Sequence, residues 1–228
     1  MDIIGKTFGR YEIGELIGEG GMAMVYKAYD TQINRSVALK ILKQEHSSDE
    51  EHTQRFLKEG KAAGALTHTN IVTIFDVGSF EDRPYIMMEL LEGQPLGDVL
   101  MEGRKLSPTQ IISIAMQLAS ALDYAHGKGV IHRDIKPDNI VLGLDGESIT
   151  IADFGIARMA QASDIETTQA GMMLGTPRYM SPEQASGEDI DGRSDLFTVG
   201  VILYEMVTGQ KAFDAESMPT LIMQIVQK

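Results

Sequence analysis

In the first part of the chain short, largely apolar runs are bounded by glycine and polar turns, and over 37–42 the faces alternate every second residue. Residues 11–17 and 24–29 form two such runs, 37–42 a third, and 70–77 and 84–89 a fourth and fifth. Short apolar runs with turn residues between them read as β-strands, and five in succession predict an antiparallel sheet. One helix interrupts them. Acids follow Ser47-Ser48 in its first turn, and Phe56, Glu59, Ala63 and Leu66 then share a stripe at helical spacing up to about Leu66. Beyond residue 91 the period lengthens. Ser107-Pro108-Thr109-Gln110 is a helix start with a hydroxyl cap, proline at the first position and glutamine at the third. The helix it opens, 108–126, carries Ile111, Ile112, Ala115, Leu118, Leu122 and Ala125 as its apolar face, and Gly127 ends it. A further helix is predicted over 195–208, capped by Ser194 and ended by Gly209, and a last one over 217–228. The pattern predicts a sheet with one helix, followed by a mostly helical second half.

The chemistry concentrates at 130–155, VIHRDIKPDNIVLGLDGESITIADFG. Two carboxylates, Asp134 and Asp153, flank a lysine, Lys136, and an amide, Asn139. The runs IVL and SITIA between them are joined by a polar turn at Asp145-Gly146, which predicts a hairpin that returns both acids to one open end. Oxygen ligands of this kind suit a hard divalent cation together with a bound phosphate. Earlier, Gly18-Glu19-Gly20-Gly21-Met22-Ala23 separates two strand runs. Glycines there let backbone N–H groups approach phosphate oxygens. A glycine loop of a dinucleotide-binding fold would lead into a helix, and this one leads into a strand. On the run 37–42, Val37, Leu39 and Ile41 share one face, and Ala38, Lys40 and Leu42 the other. Glu59 is an acid on a core-facing helix stripe and needs a cation; Lys40 is the natural partner.

Composition narrows the functional classes. The chain has 228 residues, 43% hydrophobic and 23% charged, within the range of a globular protein with a real core. It has no cysteine, which excludes disulfides and thiolate zinc sites. Histidines 46, 52, 68, 126 and 132 show no metal-ligand spacing, and His132 reads as a packed core histidine. The net charge of −13 disfavours nucleic acid as a partner. The N-terminus has no signal-peptide core and no apolar run is long enough to span a membrane.

His132-Arg133-Asp134-Ile135-Lys136-Pro137-Asp138-Asn139 resembles the catalytic loop of protein kinases, and Asp153-Phe154-Gly155 resembles that family's metal motif. The glycine stretch, with Ala23 in place of the third glycine, looks like the family's nucleotide flap, and Val37-Ala38-Leu39-Lys40 its lysine strand. Gly175-Thr176-Pro177-Arg178-Tyr179-Met180-Ser181-Pro182-Glu183 is similar to its substrate-docking segment, with Ser-Pro-Glu for the usual Ala-Pro-Glu. The order of motifs follows the family from about Tyr11 to Lys228. Lys136 with Thr176 is the serine/threonine pattern, and Gly20-Gly21-Met22, 55–72 and 179–185 resemble the bacterial branch.

The resemblance implies an α+β, two-lobe fold: a five-stranded antiparallel sheet plus one helix over 1–91, and a mostly α second lobe over 92–228. It implies transfer of a phosphoryl group from ATP, with Mg²⁺ or Mn²⁺, to Ser/Thr hydroxyls of protein substrates. Asp134 would be the base, Lys136 and Thr176 would serve the transfer, and Asn139 and Asp153 would hold the metal. Lys40, locked by Glu59, would position the α and β phosphates. Ile17, Gly18, Gly20, Gly21, Val25, Ala38, Met88, Glu89, Leu91 and Val141 would form the nucleotide site. Residues 156–171 have no clear period and would be the activation loop, with Thr168 and Thr167 as autophosphorylation sites, Arg133 as phosphate receiver, and self-association for reaction in trans. Asp195 resembles the aspartate that braces the catalytic loop, and is equally a first-turn acid favoured by the helix dipole. The location implied is cytoplasmic, free or as the cytoplasmic part of a longer membrane-anchored protein. The family domain continues past Lys228 with further helices, one of which supplies an arginine to Glu183. After Arg193 this sequence has no arginine. A chain cut short there is expected to expose the apolar face of 195–208 and to be less stable. The rival reading is an ATP-binding pseudokinase or regulatory module, inactive for that reason; the presence of Lys40, Asp134 and Asp153 stands against it.

Overall fold

The structure is a computed structural model that describes residues 3–47, 49–154 and 177–227. It divides into two compact units. The residues up to Thr67 join Val72–Leu91 in the first, and His68–Ile71 join the chain from Glu92 onward in the second.

Alternation builds the first unit. Strands β1 (Thr7–Phe8), β2 (Tyr11–Glu19), β3 (Ala23–Asp30), β4 (Arg35–Leu42), β5 (Ile74–Phe80) and β6 (Arg83–Met88) form one sheet in the order β1-β2-β3-β4-β6-β5. All its pairings are antiparallel. The sheet has six strands where the sequence predicts five. The extra one, β1, is two residues long, too short to show a period. Val37, Leu39, Ile41, Ile13 and Met87 pack together in one core. On the other face Leu42 and Ile86 meet Phe56. Phe56 comes from helix α2 (Glu50–Gly64), which follows the one-turn helix α1 (Gln44–Ser47). Asp49 caps α2 by accepting from the Glu51 N–H at 2.8 Å. Gly60 is why α2 lies so close to the sheet: a Cβ there would come within 2.8 Å of Ile86 and 2.9 Å of Val77.

The strand expected from Asn70 begins instead at Ile74. Residues 68–71 belong to the second unit because their polar groups are satisfied there. The Asn70 amide donates to Gln117 Oε1 at 2.8 Å and to the Ile149 carbonyl at 2.7 Å, and the Ile151 N–H donates to the Asn70 carbonyl at 2.9 Å.

The second unit contains β7 (Gly93–Pro95), α3 (Leu96–Met101), α4 (Pro108–Gly127), β8 (Ile140–Gly143), β9 (Ile149–Ile151), α5 (Pro182–Ser186), α6 (Gly192–Thr208) and α7 (Met218–Gln227). β7, β8 and β9 form a small antiparallel sheet. Ser107 and Gln110 cap α4 reciprocally, as their spacing predicts. Its buried stripe is Ile114, Leu118, Ala121, Leu122 and Ala125, and Ile112, expected on the apolar face, points to solvent. α6 starts three residues earlier than expected. Asp191, not Ser194, is its cap, accepting from the Arg193 N–H at 2.8 Å. Ser194 instead donates its hydroxyl to Glu183. Leu196, Tyr204 and Val207 on α6 are exposed. Among the described residues no helix is long and apolar enough to cross a membrane.

Buried polar groups at the start of α6 organise the loop before β8. Asp195 is 1% exposed and accepts from the His132 N–H (2.9 Å), the Arg133 N–H (2.8 Å) and the His126 ring at Nε2 (2.7 Å). A buried carboxylate is tolerated only with such donors. Gly192 leaves room for the His126 ring, which a Cβ there would approach within 2.6 Å. His132 is fully buried, its ring 4.5 Å from that of Phe154, and its Nδ1 accepts from the Asp134 N–H at 3.3 Å.

Burial holds the His132 imidazole neutral down to about pH 4, against the pull of Asp195, Asp134 and Asp153 in the opposite direction. In the unfolded chain it protonates near pH 6.5. Between those values the unfolded state binds the extra proton. The stability is therefore complete above about pH 6.5 and is lost as the pH falls, by about 1.4 kcal/mol per unit. Urea unfolding from pH 7 to pH 4.5 should show that slope, and His132→Phe should flatten it by this amount. Equal slopes for the two proteins would exclude a buried neutral His132.

Candidate active site

In the first unit, β2 and β3 pair with Gly18 opposite Val25, and the Gly20 N–H closes the turn on the Ala23 carbonyl at 2.9 Å. Gly20 and Gly21 are exposed at that turn and Ile17 is 46% exposed just before it. β4 lies beside β3 with Lys40 opposite Val25. The period of two then puts the Lys40 side chain on the α2 side, where Nζ lies 3.3 Å from Glu59 Oε1. Both side chains are 13% exposed, so each charge depends on the other. Ala38, Val72 and Met88 form a buried apolar cluster with Val25, Leu90 and Leu91 packed on it. Four residues predicted for the nucleotide site are thus brought together: Val25, Ala38, Met88 and Leu91. Glu89 follows directly. Its N–H is taken by the Thr73 carbonyl at 2.9 Å, and its carboxylate accepts from the Thr73 N–H at 3.4 Å. A cleft of about 580 Å³ elsewhere in this unit, lined by Phe8, Arg10, Tyr11 and Tyr85 among others, contains none of the candidate residues.

In the second unit the predicted hairpin is present. Ile140 pairs with Ile151 and Leu142 with Ile149. Asp145 makes the turn, accepting from the Glu147 and Ser148 N–H groups at 2.9 Å each; these bonds hold its carboxyl below the usual range. At the open end the Ala152 N–H donates to the Asn139 carbonyl at 2.8 Å, which sets Asn139 and the start of Asp153-Phe154 side by side. Val141 sits on β8, partly exposed, opposite Thr150 and Pro95.

The loop 132–139 gathers the reactive groups. Asn139 is 8% exposed, and its amide donates to the Asp134 carbonyl at 2.8 Å and to Asp134 Oδ2 at 3.3 Å. Lys136 Nζ lies 3.3 Å from the same Oδ2. Asp134 and Lys136 remain partly exposed, at 20% and 19%, so a reactant can reach them. Arg133 stands at φ 68°, a left-handed backbone rarely adopted by a long side chain. Among the described residues no group of three or more His, Cys, Asp or Glu could hold a metal by itself. The donor set at the hairpin mouth is one carboxylate, Asp153, beside one amide, Asn139. That set fits a Mg²⁺-like ion that takes its other ligands from phosphate and water.

Thr176, Gly155, Thr167 and Thr168 lie outside the described residues. The next described segment, Pro177–Tyr179, forms one helical turn that buries Tyr179. The Tyr179 hydroxyl donates to Glu205 Oε2 at 2.7 Å and accepts from Lys211 Nζ at 2.8 Å. Burial, with Glu205 adding to it, pushes the phenol well above its usual range, so it stays protonated. Two residues of the site went unread in the sequence. His126 reaches Asp195, and Gln184 donates its amide to the Arg133 carbonyl at 2.6 Å. His126 is the last-turn residue of an amphipathic helix and carries no local signal. Gln184 gave one signal, its place three residues after Ser181.

Residues 11–228 match the protein kinase domain family. The chain is 44% identical over 218 residues to a probable serine/threonine-protein kinase of Clostridium acetobutylicum, covering 96% of this chain and 33% of the relative. It is 42% identical over 223 residues to the serine/threonine-protein kinase pkn3 of Myxococcus xanthus, covering 95% and 41%. It thus spans about a third of the length of curated relatives such as the first. Among solved structures it is similar to the kinase domain of Mycobacterium tuberculosis PknI, with a TM-score of 0.72, 29% identity, and coverage of 92% of this chain and 78% of that one. The likeness in fold to that kinase domain and the match along nearly the whole sequence agree, and the chain belongs to the protein kinase family, among the bacterial serine/threonine kinases.

Proposed function

We propose that this chain transfers the γ-phosphoryl group of ATP to Ser/Thr hydroxyls of protein substrates. The observation that carries the reading is the arrangement around Asp134: Lys136 Nζ at 3.3 Å and the Asn139 amide at 3.3 Å from one carboxylate oxygen. Asp134 accepts the hydroxyl proton of the substrate as the phosphoryl group moves in line. Lys136 turns from Asp134 to the charge on the transferred group. Asn139 holds the Asp134 backbone and, with Asp153, offers oxygens to a divalent ion. That ion, when bound, neutralises phosphate charge. Lys40, held by Glu59, steadies the α and β phosphates; Gly18, Gly20 and Gly21 cover them, and Val25, Ala38, Met88, Leu91 and Ile17 are the first unit's apolar contacts with the adenine. The Glu89 carbonyl and the Leu91 N–H meet its edge. Catalysis is positioning and electrostatics, and no covalent intermediate on the chain is needed.

Radiolabel from γ-labelled ATP should pass to a generic basic protein on Ser and Thr, and Asp134→Asn should lower the rate by about 100-fold or more at little change in ATP affinity. Transfer that survives this substitution would contradict the role of Asp134. ATP-dependent thermal stabilisation of the parent without transfer would instead support a binding module.

The same reading includes autophosphorylation in trans. After incubation with ATP, mass spectrometry should find phosphate on Thr168 or Thr167, and neither should be modified in Asp134→Asn. An unmodified parent would remove autophosphorylation from the proposal.

A further inference from the structure

Arg133 keeps its left-handed conformation because both of its peptide groups are gripped by side chains from other elements. Its N–H donates to Asp195 Oδ1 at 2.8 Å, and its carbonyl accepts from Gln184 Nε2 at 2.6 Å. That carbonyl belongs to the peptide joining Arg133 to Asp134. The N–H of the same peptide donates to His132 Nδ1 at 3.3 Å. The plane from which the Asp134 side chain departs is therefore pinned at its oxygen by Gln184 and at its nitrogen by His132.

Gln184 has a second contact. Its Oε1 accepts from the Ser181 N–H at 2.9 Å while Ser181 Oγ accepts from the Gln184 N–H at 3.3 Å, the reciprocal cap that starts α5. A glutamate would make that cap equally well, since only an acceptor is needed. The bond to the Arg133 carbonyl needs a donor, which a carboxylate lacks. The amide is thus the atom group that distinguishes the two contacts.

We propose that Gln184 is a positioning residue of the phosphotransfer site. Its amide fixes the Arg133–Asp134 peptide so that the Asp134 carboxylate meets the acceptor hydroxyl, and it ties that peptide to the Ser181 cap. A shift of the cap reaches Asp134 through this one side chain. The inference rests on the phosphotransfer reading for its catalytic consequence, but not for the contact itself.

The test uses the full chain with Gln184→Glu, which keeps the cap and removes the donor. Its kcat for a Ser/Thr peptide should fall by about tenfold or more. KM for ATP and the melting temperature should stay close to those of the parent. Amide hydrogen exchange should quicken in peptides covering 130–139 and stay unchanged in α6. Gln184→Ala, which removes both contacts, should match this loss of kcat and also lower the melting temperature. A kcat for Gln184→Glu within about twofold of the parent, or unaltered exchange over 130–139, would overturn the proposal. So would a loss of kcat that comes only with a lower melting temperature and a raised KM, since that assigns Gln184 to the fold alone. A parent that transfers no phosphate contradicts the phosphotransfer reading, and the exchange comparison then decides the role of Gln184 by itself.

Discussion

Asp195 sits almost without solvent in the first turn of α6 and spends its carboxylate on two backbone N–H groups and one imidazole. The backbone donors belong to consecutive residues, His132 and Arg133. Binding both at once forces the chain to turn there, and the left-handed Arg133 is the result. A conformation of this kind costs roughly 1 kcal/mol or more and persists only where its surroundings over-determine it. Everything downstream is measured from that turn: Asp134 next, Lys136 beside it, Asn139 at the entry to β8, and Asp153 at the exit of β9. The helix dipole also favours an acid where Asp195 stands. Both sequence readings of this residue are therefore compatible with its contacts.

The two units solve different problems with the same physics. In the first, strand alternation brings an apolar face to the core and sends Lys40 to the other side, where Glu59 on α2 meets it. In the second, a hairpin brings residues far apart in sequence to one end and leaves the reactive groups partly exposed. A buried pair of charges adds little to stability, and removing one partner strands the other at a cost of about 3–5 kcal/mol. The Lys40–Glu59 pair is therefore better explained by fixing the place of the ammonium than by holding the sheet together.

Much of this was legible in the sequence because it is local. Period two marks β4, glycine and polar turns bound β2 and β3, the turn at Asp145-Gly146 marks the hairpin, and the Ser107/Gln110 spacing marks the start of α4. What was not legible depends on distant partners or has no period. β1 and β7 are two and three residues long. Residues 68–71 read as the start of a strand, yet the Asn70 side chain finds its acceptors on α4 and β9. Asp191 and Ser194 are both good capping residues, and only the bond from Ser194 to Glu183 shows which is free to cap. In the same way the serine-to-glutamine spacing at 181–184 announces a helix cap, but not the bond from its amide to Arg133, 51 residues earlier.

The buried Asp195 carboxylate sets the geometry of the loop 132–139, and the phosphotransfer proposed for that loop depends on it. The most direct measurement is the single-turnover rate of transfer from ATP in Asp195→Asn, which is isosteric but turns an amide donor toward the donors of the loop. The rate should fall by about 100-fold while ATP affinity is retained. A rate within about twofold of the parent would show that the loop holds its catalytic shape without Asp195, and would contradict the account.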